Sequence, residues 1–208
     1  MVRALIFDFD GTIANSMPAI IEMINSLANE FRYKKLRKED MQQKGRSLNS
    51  ILAHDLGVSK FRLPFFLLKL RRKMKEAIVN VRPVPNMKEV TISLYKKNYS
   101  LYILTYNRVD NVQRFLENNE MEVFDKIYSS SPYLLGKART IKKLLKEQKI
   151  TPEEVLYIGD DINDIKAAKK AGVKIVAATW GANSKRGLEN HFPEFIIDAP
   201  RELLSLIG

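Results

Sequence analysis

The chain has 208 residues, 45% hydrophobic and 28% charged, which suits one sizeable domain or a core with a smaller insertion. No apolar run reaches the roughly 20 residues that cross a bilayer, and the first apolar segment runs into aspartates, so neither a transmembrane span nor a secretory signal is expected. The absence of cysteine excludes disulfides and thiolate metal sites, and a reducing cytoplasm is the expected setting. The formal charge of +11 is unevenly placed: residues 31–82 hold 15 Lys or Arg against 4 Asp or Glu, and the rest holds 20 of each. Such a block is a footprint for nucleic acid or a membrane surface, a field drawing an anionic substrate, or, most commonly, a solvated helical face.

Taken in order, residues 4–7 read as a buried central strand, apolar at every position. Residues 17–31 place Ile20, Ile21, Ile24, Leu27, Ala28 and Phe31 at helical spacing, with Ser16 and Pro18 marking the start. A second stripe runs over residues 48–56. A third helix is predicted over about 61–79, with Pro64 in its tolerant first turn. Pro83 and Pro85 then close this helical stretch. Beyond them helix and strand alternate. Helices are predicted over 87–97, 109–118, 136–148 and 162–171, strands over 100–105, 126–129, 155–159, 173–178 and 195–197, and a last helix at the end. That alternation specifies an α/β fold, a Rossmann-like parallel sheet core. One strand cannot stand alone, so residues 1–16 must join residues 83–208, leaving 17–82 as an inserted α-helical cap domain.

Chemistry is expected at the strand ends, which in an open parallel sheet face one crevice. The first strand ends in Asp8-Phe9-Asp10-Gly11-Thr12. Asp8 and Asp10, two apart, project to one side and repel unless a proton or cation intervenes, which suggests acid/base work, a metal, or both. A solvated turn is the bland alternative. Thr105-Tyr106-Asn107 offers a hydroxyl and an amide to a phosphoryl oxygen, or merely a helix cap. Lys137, in the first turn of a helix, opposes the helix dipole, which points away from a decorative surface role. A cap needs one acid, yet Asp160, Asp161 and Asp164 cluster after the strand at 155–159. With Asp8 and Asp10 they form an excess of negative charge that a hard dication would offset, and oxygen-only ligands favour Mg²⁺.

With these pieces assembled, the chain resembles the haloacid dehalogenase-like superfamily over nearly its whole length. Asp8 to Thr12, Thr105, Lys137, and Gly159-Asp160 through Asp164 match its four motifs in order. The insertion after the first motif resembles the subgroup with a helical cap, and Thr179-Trp180-Gly181 is similar to phosphoglycolate phosphatase-like members, although Trp180 serves core packing equally well. The resemblance implies Asp8 as nucleophile at phosphorus, Asp10 as proton donor and then water activator, and Lys137 as the balancing charge. It further implies Mg²⁺ held by Asp8, the Asp10 carbonyl and Asp160, with Asp164 supporting, and a phosphoryl group oriented by Thr105 and Asn107. Asp10 favours a phosphatase, since dehalogenating members lack an acid there. Asn15 and Tyr106 depart from the commonest pattern and adjust the pocket. Asp161 is a candidate to share the metal role assigned to Asp160, although the expected strand end favours Asp160.

Substrate choice is assigned to the cap, where Gly45 and Arg46, within Lys44-Gly45-Arg46-Ser47, either reach an anionic leaving group or form a surface turn. Lys69, Arg71, Arg72, Lys73 and Lys75 cover several helical faces and are mostly solvated; Phe61, Phe65, Phe66 and Leu68 are expected in the cap core, and His54 and His191 in surface or packing roles. The expected function is hydrolysis of a small anionic phosphate monoester, phosphoglycolate foremost. Alternatives are sugar-phosphate or nucleotide hydrolysis, a phosphomutase, and a nucleic-acid-binding protein that uses the basic cap.

Overall fold

The computed structural model describes residues 1–37, 57–58, 62–130 and 136–207. Six parallel strands form one sheet in the order β3-β2-β1-β4-β5-β6. They are β1 (Ala4–Phe7), β2 (Ser100–Thr105), β3 (Lys126–Ser129), β4 (Val155–Gly159), β5 (Lys174–Ala178) and β6 (Phe195–Ile197). This is the doubly wound arrangement, and the strand order reverses beside β1, which lies between β2 and β4.

The four β1 residues are fully buried because both faces of the sheet are covered. Leu5 and Phe7 join one apolar cluster with Leu101, Ile103, Leu156 and Ile158, while Ala4 and Ile6 join another with Tyr102, Leu104 and Tyr157. The helices supply the rest: α4 (Met87–Lys96) and α5 (Val109–Asn118) on the first side, α6 (Gly136–Gln148) and α7 (Ile162–Ala171) on the second. A short α8 (Lys185–Glu189), not anticipated from the sequence, precedes β6, and α9 (Glu202–Ile207) ends the described chain.

The predicted helix over 17–31 is two pieces, α1 (Met17–Ser26) and α2 (Ala28–Phe31). The Ser26 hydroxyl donates to the Met23 carbonyl at 2.7 Å, a local bond that competes with continuing the helix. α3 (Leu63–Ala77) matches the third predicted helix. Phe66 is buried with Met17, Ile20, Met23, Ile24 and Phe31, as expected of a cap core. Phe65 and Leu68 are not: they are 66% and 67% exposed. Three residues apart, they share a helix face pointing away from Phe66, so the run of apolar residues covers two faces instead of one. The predicted stripe at 48–56, His54 and Phe61 lie outside the described residues.

Two chain segments, 13–15 and 82–84, pass side by side. Asn15 N–H donates to the Arg82 carbonyl and Val84 N–H to the Ile13 carbonyl, each at 2.9 Å, and Ala14 pairs with Pro83.

Candidate active site

The register of the sheet decides which residues meet. Phe7 pairs with both Ile103 and Ile158, so Asp8 and the ends of β2 and β4 emerge together, and Asp8 N–H continues the ladder to the Ile158 carbonyl at 2.8 Å. Asp8 is buried, and its Oδ1 accepts from the Phe9 N–H at 2.7 Å and from Lys137 Nζ at 2.8 Å. Lys137 enters on the first turn of α6, buried, and its Nζ also reaches Asp164 Oδ1 at 2.6 Å. Asp164, fully buried on α7, further accepts from the Tyr157 hydroxyl at 3.1 Å and the Asp161 N–H at 3.2 Å. The rings of Tyr106 and Tyr157 lie 5.1 Å and 6.0 Å from the Lys137 ammonium.

These contacts set the charge states. Burial would discharge Lys137, but the carboxylates of Asp164 and Asp8 outweigh it and hold the ammonium well above its ordinary pKa. Asp8 is pushed well above the usual carboxylate range by burial and then by Asp164, against the opposing pull of Lys137. One ammonium cannot neutralise three buried acids.

Asp160, the third acid, is held from two sides. Its Oδ1 accepts from Thr12 Oγ1 at 2.5 Å and its Oδ2 from the Ala182 N–H at 2.7 Å. A Cβ built on Gly11 would lie 2.3 Å from Asp160 Oδ2, and one on Gly181 2.1 Å, so the carboxylate fills a cradle that only glycine leaves open on both sides. Gly11 also has φ +88°, a conformation that side chains rarely adopt. Burial and the charge of Asp164 push the Asp160 pKa up to about 7.

Ligand atoms of Asp8, Asp160 and Asp164 lie within 4.8 Å of one another, the metal-capable cluster among the described residues. The donor set fits a hard divalent cation: all oxygen, buried, anionic, and with lone pairs remaining beside the bonds that orient it. Asp161 is not part of it. It caps α7 instead, its Oδ1 accepting from the Asn163 N–H at 2.7 Å. The Asp10 carboxylate also lies outside the trio; its Oδ2 accepts from Asn107 Nδ2 at 3.2 Å. Among the described residues, neither Asp10 Oδ1 nor Ser16 Oγ, both buried, has a hydrogen-bond partner. Burial raises the Asp10 pKa, against the lowering influence of Ser16 and Asn107 beside it.

Thr105, Tyr106 and Asn107 are all brought to this crevice. Thr105 Oγ1 accepts from the Asn107 N–H at 2.9 Å, which leaves its own O–H to donate. Asn107 Oδ1 accepts from the Arg108 N–H and from Asn111 Nδ2, both at 2.9 Å, so its amide nitrogen is fixed toward Asp10. Tyr106, the departure noted in the sequence, covers Lys137 with its ring, and burial raises its pKa. Gly45 and Arg46 lie outside the described residues. His191 is half-buried away from the acids, its Nδ1 within hydrogen-bond distance of the Gly187 carbonyl at 3.1 Å.

The sequence reading named Thr12 and Gly181 within motifs without giving either a role at Asp160, and it passed over Asn111 and Ala182. Gly181 did carry a signal, a glycine just after a strand at the same sheet end as the acids.

The family model for haloacid dehalogenase-like hydrolases matches residues 5–178. A phosphoglycolate phosphatase of Synechococcus elongatus is 26% identical over 206 residues, covering 99% of this chain and 97% of that protein. The pyrophosphatase PpaX of Anoxybacillus flavithermus is 24% identical, covering 100% and 97%. Among solved structures, a haloacid dehalogenase-like family hydrolase from Streptococcus pneumoniae superposes with a TM-score of 0.87 at 28% identity, covering 100% of this chain and 99% of that one.

Proposed function

The chain belongs to the haloacid dehalogenase-like hydrolase family, and from that premise we propose that it is a Mg²⁺-dependent phosphatase acting on a small anionic phosphate monoester. The observation that carries this reading is the gathering of three buried carboxylates around one buried lysine at the strand-order reversal, with Asp10 and Asn107 alongside. Residues 1–16 and 83–208 form the catalytic core in this reading, and residues 17–82 the cap.

Lys137 and the Phe9 N–H engage Asp8 Oδ1, so Oδ2 is assigned to attack phosphorus, forming an aspartyl-phosphate as the bond to the leaving oxygen breaks. Asp10, its pKa raised by burial, gives that oxygen a proton, and as carboxylate it then takes one from the water that cleaves the acyl phosphate. Thr105 O–H and Asn107 Nδ2 orient the phosphoryl oxygens, and the Lys137 ammonium offsets their charge. Asp8, Asp160, Asp164 and the Asp10 carbonyl would hold Mg²⁺. When bound, it supplies charge stabilisation at the phosphoryl oxygens.

Phosphoglycolate is the leading substrate, since relatives over the full length are phosphoglycolate phosphatases. The pyrophosphatase relatives make inorganic pyrophosphate the second. Phosphate release with Mg²⁺ from phosphoglycolate, pyrophosphate, sugar phosphates and nucleotides tests the reading. Asp8→Asn is expected to abolish turnover, and Asp10→Asn to lower it by about 10²–10⁴-fold. No release from any of these compounds overturns the phosphatase; exchange between sugar-phosphate isomers in its place assigns a phosphomutase.

A further inference from the structure

The loop after β5, residues 179–183, does more than connect β5 to α8. β5 lies beside β4 in the sheet, so the loop folds over the end of β4. There the Ala182 N–H donates to Asp160 Oδ2 at 2.7 Å, and the Asn183 N–H donates to the Asp160 carbonyl at 3.3 Å. Gly181 packs so closely on the carboxylate that no side chain fits. Trp180 Nε1 donates to the Thr12 carbonyl at 3.2 Å, and the Thr12 hydroxyl returns to Asp160 Oδ1. Asp160 is therefore ringed by two loops tied to each other. The buried Ala182 also belongs to the apolar cluster of the helical segment, with Met17, Ile20, Met23 and Phe66. One residue thus presents its N–H to the acid and its methyl group to the helices.

We propose that residues 179–183 are the positioning element of Asp160, and that Ala182 ties the packing of α1 to the occupation of the Asp8, Asp160 and Asp164 cluster. The proposal rests on the reading of that cluster as a divalent-cation site. Hydrogen-bond partners that orient a metal-binding carboxylate change affinity by about 10–100-fold when lost. Two sites coupled through one element bias each other reciprocally. A cation that fixes Asp160 therefore fixes Ala182, and with it the apolar contact to α1.

The test uses the full chain, Mg²⁺ alone and no phosphate ester. Calorimetric titration gives the affinity, and hydrogen exchange with and without Mg²⁺ gives the response of Met17–Ser26. Wild type is expected to bind Mg²⁺ and to slow exchange in α1 on binding. Gly181→Ala is expected to weaken Mg²⁺ by about 10–100-fold. Ala182→Gly keeps the N–H and removes only the methyl group, so Mg²⁺ is expected to bind while the slowing of α1 is lost, which also covers a Gly181→Ala protein that does not fold. Wild-type affinity in Gly181→Ala, or undiminished protection of α1 in Ala182→Gly, overturns the proposal and leaves the cation site standing. No Mg²⁺ binding by wild type overturns both.

Discussion

Among the described residues, Lys137 is the single buried cation against Asp8 and Asp164, and removing it takes away the positive charge that opposes both buried acids. Breaking a buried ion pair from one side costs about 3–5 kcal/mol. Lys137→Met is thus expected to lower the unfolding free energy by that order, read as a lower denaturant midpoint, and Mg²⁺ to restore part of the loss by taking over the role of counter-charge. An unchanged midpoint would show that the acids do not depend on the ammonium. Asp160 gives the pH dependence. Its pKa is pushed from 3.8 to about 7 in the fold by burial and by Asp164, with Asp161 adding to the rise and Thr12 and the Ala182 N–H opposing it. Between those values the folded chain holds a proton that the unfolded chain has released. The contribution of this group to the stability of the cation-free protein is full below about pH 4 and is lost as pH rises through about 7. A divalent cation must displace that proton, so Mg²⁺ affinity is expected to rise with pH through about 7. Calorimetric titration from pH 5.5 to 8.5 checks this; affinity independent of pH below 7 would show that Asp160 is already ionised there.

At the scale of elements, α7 separates two neighbouring acids. Asp160 ends the strand side and joins the cluster, whereas Asp161 caps the helix. Asp161→Ala is expected to cost about 1 kcal/mol, the usual worth of a cap, with Mg²⁺ binding retained. Asp160→Asn is expected to lose the cation; a comparable loss in Asp161→Ala would reverse the assignment. The sequence made these elements legible wherever burial imposes a pattern. The runs ALIF and VLYIG are apolar throughout because helices cover both faces of β1 and β4, and the carboxylates after them mark the crevice. The roles that escaped notice act without a side-chain signature. Ala182 works through its N–H, Gly181 through the absence of a Cβ, and Asn111 through a partner, Asn107, that meets it only once α5 is wound. The break at Leu27 likewise depends on which bond the Ser26 hydroxyl chooses, and helical spacing is blind to that. Phe65 and Leu68 show the limit of counting apolar residues, because periodicity names a face and not its partner.

For the whole molecule the uneven charge is the property left to connect with the chemistry. Residues 31–82 carry the entire excess of +11, and α1 and the start of α2 link them to the loop that holds Asp8 and Asp10. Some of these cations are partnered: Lys69 Nζ meets Glu30 at 2.5 Å and Arg72 approaches Glu76 at 3.7 Å, exposed pairs of small worth. The field of so uneven a charge is long-ranged, and its physical consequence is attraction of anions. Attraction of this kind acts on encounter more than on the chemical step. It is also screened, because the Debye length falls from about 30 Å at 0.01 M salt to about 8 Å at 0.15 M. For an anionic phosphate ester, kcat/KM is therefore expected to fall as salt rises over that range while kcat stays nearly constant. Steady-state kinetics at fixed Mg²⁺ check it. A salt-independent kcat/KM would reduce the basic segment to a solvated face. Salt-sensitive retention on DNA or RNA, unaltered by Asp8→Asn, would instead assign the segment to nucleic acid, since counterion release from a phosphate backbone needs none of the buried acids.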